Sequence, residues 1–134
     1  MSSLENRLAP FSPYLHAIMR IMIGLLFMEH GTGKLLGFPT IPGMENLPIT
    51  SWPAIAGIFE LVGGALIAIG LFMRPVAFIL SGEMAVAYFM AHAPRGFFPV
   101  LNGGELAIVY CFLFLYLAAA GAGAWSIDRM RGAA

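Results

Sequence analysis

Four apolar segments, residues 14–37, 52–72, 75–93 and 103–123, dominate this chain, separated by breaks rich in proline and glycine. Each approaches the roughly 20 residues that a helix needs to cross about 30 Å of hydrocarbon. The expected fold class is therefore all-α, a four-helix transmembrane bundle forming a single membrane domain over residues 1–134. Composition agrees: 60% of residues are hydrophobic and 10% charged, with a mean hydropathy of +0.85, unlike a soluble domain. With no second compositional block, no separate soluble catalytic domain is expected. Any soluble partner protein must come from another chain.

The first ten residues, with Glu5 and Arg7, are too polar for the start of a signal peptide, and no A-x-A-like site follows the first segment. It is expected to stay as an anchor. An even number of spans puts both termini on one face. Arg7, Arg74, Arg129 and Arg131 lie on that side, with Arg20 just inside the first span, against Lys34 and Arg95 on the other. Positive-inside makes the terminal face cytoplasmic, so the expected location is a bacterial inner membrane, multi-pass, with the lipid bilayer as the first partner. Trp52 and Trp125 suit interfacial anchors. The loop over residues 38–53 holds Pro39, Pro42, Pro48 and Pro53, which rules out a regular helix and predicts an extended cover. The second outward loop, PRGFFPVLN, puts Phe97 and Phe98 beside Arg95, a pattern suited to the headgroup layer.

Each apolar segment carries an acid within it or at its mouth: Glu29, Glu60, Glu83 and Glu105. A bilayer solvates no ionised side chain, so such residues face a bundle interior or a wet cavity, pair with something, and mark function. At about 1.5 Å per residue, Glu29, Glu60 and Glu83 fall about 12–15 Å below the outward ends, and Glu105 only about 3 Å. His30 lies near the deep level, and Lys34 is one turn above it on the same helix face. Glu60 has no cation on its own segment, which leaves function or pairing across helices. His30 reads either as a structural hydrogen bonder or as a proton carrier poised against Glu60 or Glu83. His92 ends the third span and reads as interfacial. Gly57 and Gly64 share the face of Glu60, and Gly33-x-x-x-Gly37 makes a similar stripe; both let helices approach closely. Arg20 is expected to snorkel or to form a structural ion pair with Asp128.

Several chemistries are excluded. The one cysteine, Cys111, allows no intrachain disulfide, CxxC pair or all-thiolate metal site and reads as an apolar filler. Bis-histidine haem would need His30 and His92 at one height, whereas they differ by about 9 Å. A di-iron bundle would need Glu-x-x-His pairs, which are absent. Neither haem nor a metal is expected. A formal charge of zero and the lack of a basic cluster argue against nucleic acid.

At Arg20-x-x-x-Gly24, Phe27, Gly31 and Lys34-Leu35, then Glu60-x-x-Gly63-Gly64, Gly70-Leu71 and Arg74-Pro75, the chain resembles the DoxX family of small four-helix integral membrane proteins. The likeness continues through Ala87, PRGFF, Gly103-Gly104-Glu105 and the terminal Gly121-Ala-Gly123-Ala-Trp-Ser126-Ile-Asp128. Where relatives often close with Gly-Pro-Gly, this chain has Gly-Ala-Gly. The resemblance implies a redox association: a membrane subunit of a thiosulfate:quinone oxidoreductase, quinone-stress operons, and complexes handling thiols or superoxide. Quinone is the ligand it suggests.

The leading expectation is thus a quinone-linked membrane subunit, part of an oxidoreductase, that binds a small lipophilic molecule in the outward half. Glu60, His30 and Glu83 would handle protons, while Glu29, Lys34 and Glu105 would contact the bound molecule. A small proton-coupled transporter is the second reading, for which a homodimer could supply missing walls. A non-catalytic scaffold, its acids bonded across helices, is the third.

Overall fold

The computed structural model describes residues 2–134, which are all-helical with no strand among them. The chain opens with α1, Ser3–Leu8, held by a capping box between Ser2 and Glu5. A 3-10 turn at Ala9–Phe11 leads into α2, Ser12–Leu36, so the run Ser3–Leu36 is nearly continuous at 34 residues. After an irregular loop comes α3, Trp52–Ile69, its N-terminus capped by the Ser51 hydroxyl. Then α4, Met73–Ala87, continues through a π turn at Tyr88–His92 and a 3-10 turn to Arg95, giving 23 residues in all. Short α5, Pro99–Asn102, precedes α6, Glu105–Ala120, and α7, Ile127–Met130, follows it. Three of these runs are long and apolar enough to cross a membrane, and α6 is a shorter apolar helix.

Boundaries shift from the sequence expectation for local reasons. The second segment was expected to reach residue 72, yet α3 stops at Ile69 because Gly70 and then Phe72 take left-handed φ of 70° and 52°. The third was expected from residue 75, but α4 begins at Met73, where Asp128 supplies the acceptor for its first amides. Gly103 and Gly121, at φ 76° and 82°, bracket α6 inside the expected 103–123. The loop after α2 contains no regular helix, as its prolines require.

Four helices share one core, and each neighbouring pair runs antiparallel. On α2, Gly24 meets Gly64 and Ala68 of α3, while Gly31 meets Gly57 and Leu61. A Cβ added at Gly24 would fall 2.6 Å from the Ala68 nitrogen, so the two backbones touch. The Gly33/Gly37 stripe does not pack helices: Ile41 of the loop covers Gly33, and Gly37 is the left-handed C-cap of α2. Between α4 and α6, the Ser81 hydroxyl donates to the Cys111 carbonyl at 2.7 Å. Phe27 joins α2 to α6 by packing against Tyr110 and Phe114, at centroid distances of 5.2 and 4.9 Å.

The end carrying both termini is closed by buried charge. Arg20, wholly buried, donates to the Ile67, Ala68, Ala124 and Trp125 carbonyls at 2.6–3.1 Å. Asp128 accepts from the Phe72 and Met73 amides at 3.0 and 2.8 Å and from Arg131 Nε at 2.8 Å. The expected Arg20–Asp128 ion pair is therefore not formed directly. Arg20 is consumed by carbonyls at the α3 terminus, where Ile67 also accepts from the Gly70 amide and Ala68 has no backbone donor, and in the segment before α7, and Asp128 by the α4 N-terminus. Both grip the same terminal segment. Arg74 likewise caps α6, donating to the Ala118 and Ala119 carbonyls.

Candidate functional site

At the opposite end the four helices part around a cavity of about 370 Å³, within the range of small-molecule sites. Its polar groups come from every wall. Lys34 and His30 project from α2, Glu60 from α3, Glu83 from α4, Tyr110 from α6, and His92 and Arg95 from the extension of α4. Apolar walls come from Phe27, Trp52, Met84 and Leu106, with Met44 of the long loop beside them.

The centre of the site is an interhelical ion pair. Lys34 Nζ donates to Glu60 Oε1 at 2.8 Å, with side-chain exposures of 14% and 5%. Gly57 makes this reach feasible, since a Cβ there would sit 3.1 Å from the Cβ of Lys34 and force the stem aside. Glu60 thus resolves as an acid paired across helices, and the pairing uses one oxygen only. Glu60 Oε2 and both oxygens of Glu83 are buried without a hydrogen-bond partner. Buried polar atoms are nearly always satisfied, so three orphans in one cavity need a reason. His30 stands edge-on to the Tyr110 ring at 6.4 Å.

The π turn shapes the far wall. Turns of this kind widen a helix and recur at functional sites; here the turn brings His92 and Arg95 to the cavity. Buried Asn102 pins it, donating to the Tyr88 hydroxyl at 3.2 Å and the Gly96 carbonyl at 2.9 Å. His92 Nδ1 donates to the Asn102 carbonyl at 3.2 Å, which leaves Nε2 of a neutral ring as an acceptor.

Of the residues singled out by sequence, Glu60, His30, Glu83 and Lys34 line this cavity, while Glu29 and Glu105 do not. Glu29 is exposed on the outer side of α2, because adjacent helical residues point about 100° apart and His30 takes the inner side. Glu105 is exposed in the first turn of α6, where the helix dipole favours an acid. Arg95, Tyr110 and the cavity role of His92 escaped the sequence reading. For Tyr110 there was a signal, since Ala107, Tyr110, Phe114 and Leu117 recur at helical spacing and are all buried. Arg95 and His92 had none, because a π turn leaves no periodicity to follow. Among the described residues no three His, Cys, Asp or Glu side chains gather closely enough to hold a metal ion.

The family model described as DoxX matches residues 15–93, which contain the Lys34–Glu60 pair and Glu83. A protein of Haemophilus influenzae (strain ATCC 51907 / DSM 11121 / KW20 / Rd), described as uncharacterized, is 46% identical over 127 residues, covering 92% of this chain and 95% of its own length. No solved structure matches the chain. Apolar helices of membrane-crossing length and these two matches together make it an integral membrane protein, and the chain belongs to the DoxX family.

Proposed function

We propose that this protein is a multi-pass subunit of a bacterial inner-membrane redox system, which binds a quinone-class ring in the cavity between the Lys34–Glu60 pair and Glu83. In this reading the three long helical runs and the shorter apolar α6 span the bilayer with both termini in the cytoplasm. One observation carries it: an apolar-walled cavity into which a membrane protein places a buried ion pair and three orphaned carboxylate oxygens. Carboxylates inside a membrane are costly to keep unless they work. The orphans suit a ligand with a polar rim, and the aromatic and methionine walls suit its ring. A bound quinone supplies two-electron, two-proton exchange, with electrons passing to or from a separate partner protein. This chain's part is to seat the ring against Trp52 and Phe27, to orient its oxygens on Lys34 and Glu60, and to hold protons at Glu83 and His30.

The test is to purify the protein gently from its own membranes, extract bound lipids, and quantify quinone by chromatography with mass detection. Near-stoichiometric quinone in the wild type, lost in Glu60→Gln and Glu83→Gln proteins that still melt cooperatively, is the expected result. Quinone in none of the three would sink the proposal and favour transport, which flux into proteoliposomes would then reveal, or a scaffold.

A further inference from the structure

We infer that water reaches the Lys34–Glu60 pair through a second chamber, beneath the 38–51 loop, and not through the mouth of the ligand cavity. This chamber, of about 410 Å³, lies between residues 33–37 at the end of α2 and Thr40, Met44, Glu45, Asn46 and Leu47 of the loop. Lys34 and Met44 line both chambers, so they form the wall between them. Lys34 carries three N–H donors, of which one is bound to Glu60 Oε1 at 2.8 Å and two stay available to water. Its side chain is also the more exposed of the pair, at 14% against 5%. A space holds water when it is roomy and offers polar partners. Thr40, Glu45 and Asn46 bring a hydroxyl, a carboxylate and an amide to this one.

The other directions are drier. Trp52 and Leu106, both exposed, give the ligand cavity an apolar rim beside Arg95, and a ring seated there fills that opening. Toward the termini, Phe27, Ile67, Leu80, Phe114 and Leu117 are each at most 1% exposed, and a core packed to crystal density leaves no file of water. Protonation of a buried carboxylate changes only where a donor or a water can reach it. Water held at Lys34 therefore keeps Glu60 in proton exchange with the loop face while the ring stays bound. That use rests on the function proposed above; the route itself does not depend on it.

Lys34 is the single lysine of the chain, so amine acylation reads the route directly. The full chain, in spheroplasts and in inside-out vesicles, is treated with membrane-impermeant sulfo-N-hydroxysuccinimidyl acetate, and acetylation of Lys34 is followed by peptide mass mapping. Thiol labelling of Asn46→Cys on a Cys111→Ala background identifies the loop face. Acetylation is expected from the loop face alone. Thr40→Trp, which fills the loop chamber, is expected to slow it at least about tenfold, the rate cost of a barrier the size of one hydrogen bond. Ala91→Trp, which narrows the ligand cavity instead, is expected to leave the rate unchanged. Both positions are exposed; should either variant fail to melt cooperatively, Leu47→Trp and Leu106→Trp line the same two chambers and replace them. Slowing by Ala91→Trp, or equal rates in all three proteins, overturns the inference, as does a Lys34 that reacts from the terminal face or from neither. Quinone binding is read separately by the lipid extraction above, so a protein that carries no quinone would keep this route and lose only its proposed use.

Discussion

Lys34 reaches Glu60 from the last turn of α2, and neither charge has another ionic partner among the described residues. Removing one side of a buried pair strands the other. Lys34→Met is therefore expected to destabilise by about 3–5 kcal/mol, whereas the double variant Lys34→Met/Glu60→Met recovers most of the loss. Unfolding in detergent compares the two, and additive losses would show that the pair is not coupled. At the other end Asp128 makes a pH-dependent contribution. Burial pushes its carboxyl up, yet the Met73 amide, the Arg131 guanidinium and the Phe72 amide together hold it below the usual carboxylate range. A depressed value stabilises the fold fully above the unfolded value of about 3.9, and the benefit is lost as pH falls through the folded value. Melting temperature should thus hold steady from neutrality to about pH 4 and drop below it, with a smaller drop in Asp128→Asn. An identical acid limb in the variant would remove Asp128 from the account.

Helix pairing turns on a few glycines whose role depends on what lies opposite. A Cβ at Gly64 would come within 2.8 Å of the Gly24 carbonyl oxygen, an atom of backbone that cannot step aside. Gly64→Ala is expected to cost about 1–3 kcal/mol by forcing α2 and α3 apart. Gly82, inside α4, has nothing within 4 Å of its added Cβ, so Gly82→Ala is expected to be neutral or to stabilise by up to about 1 kcal/mol through helix propensity. Equal effects at the two positions, read by thermal melting, would show that close approach is not what the α2–α3 seam needs. The stripe Gly57/Gly64 was legible beforehand because it shares a face with Glu60. Gly33/Gly37 had the same spacing and a different use, since spacing does not say whether a helix, a loop or a turn lies opposite.

Across the whole molecule, polar chemistry separates to the two ends. Arg20, Arg74 and Asp128 close the end with the termini, and the cavity occupies the end carrying the 38–51 and 93–104 connections. Arg20→Met would leave the Ala68, Ala124 and Trp125 carbonyls without a donor, so the segment after α6 is expected to become a site of proteolytic cutting while the cavity end stays protected. Uniform protection in the variant would mean that the segment is held by packing alone. The proposed topology is open to a direct check on a Cys111→Ala background. Single cysteines at Ser2 and Ala133 should react with a membrane-impermeant thiol reagent only in opened cells, and one at Asn46 in intact spheroplasts.

Helical class, four apolar segments and a gathering of acids toward one end of them were all written in the sequence, because hydrophobic run length and the cost of charge in lipid are local properties. So were Glu60, Glu83, His30 and Lys34 as the residues to watch. What only the tertiary structure decided was partnership. Lys34 takes one oxygen of Glu60 and leaves the other free, Arg20 spends itself on carbonyls rather than on Asp128, and Glu29 and Glu105 turn outward. Those outcomes depend on helix rotation and on a π turn, which arise from packing between segments distant along the chain and leave no trace in the periodicity of any one of them.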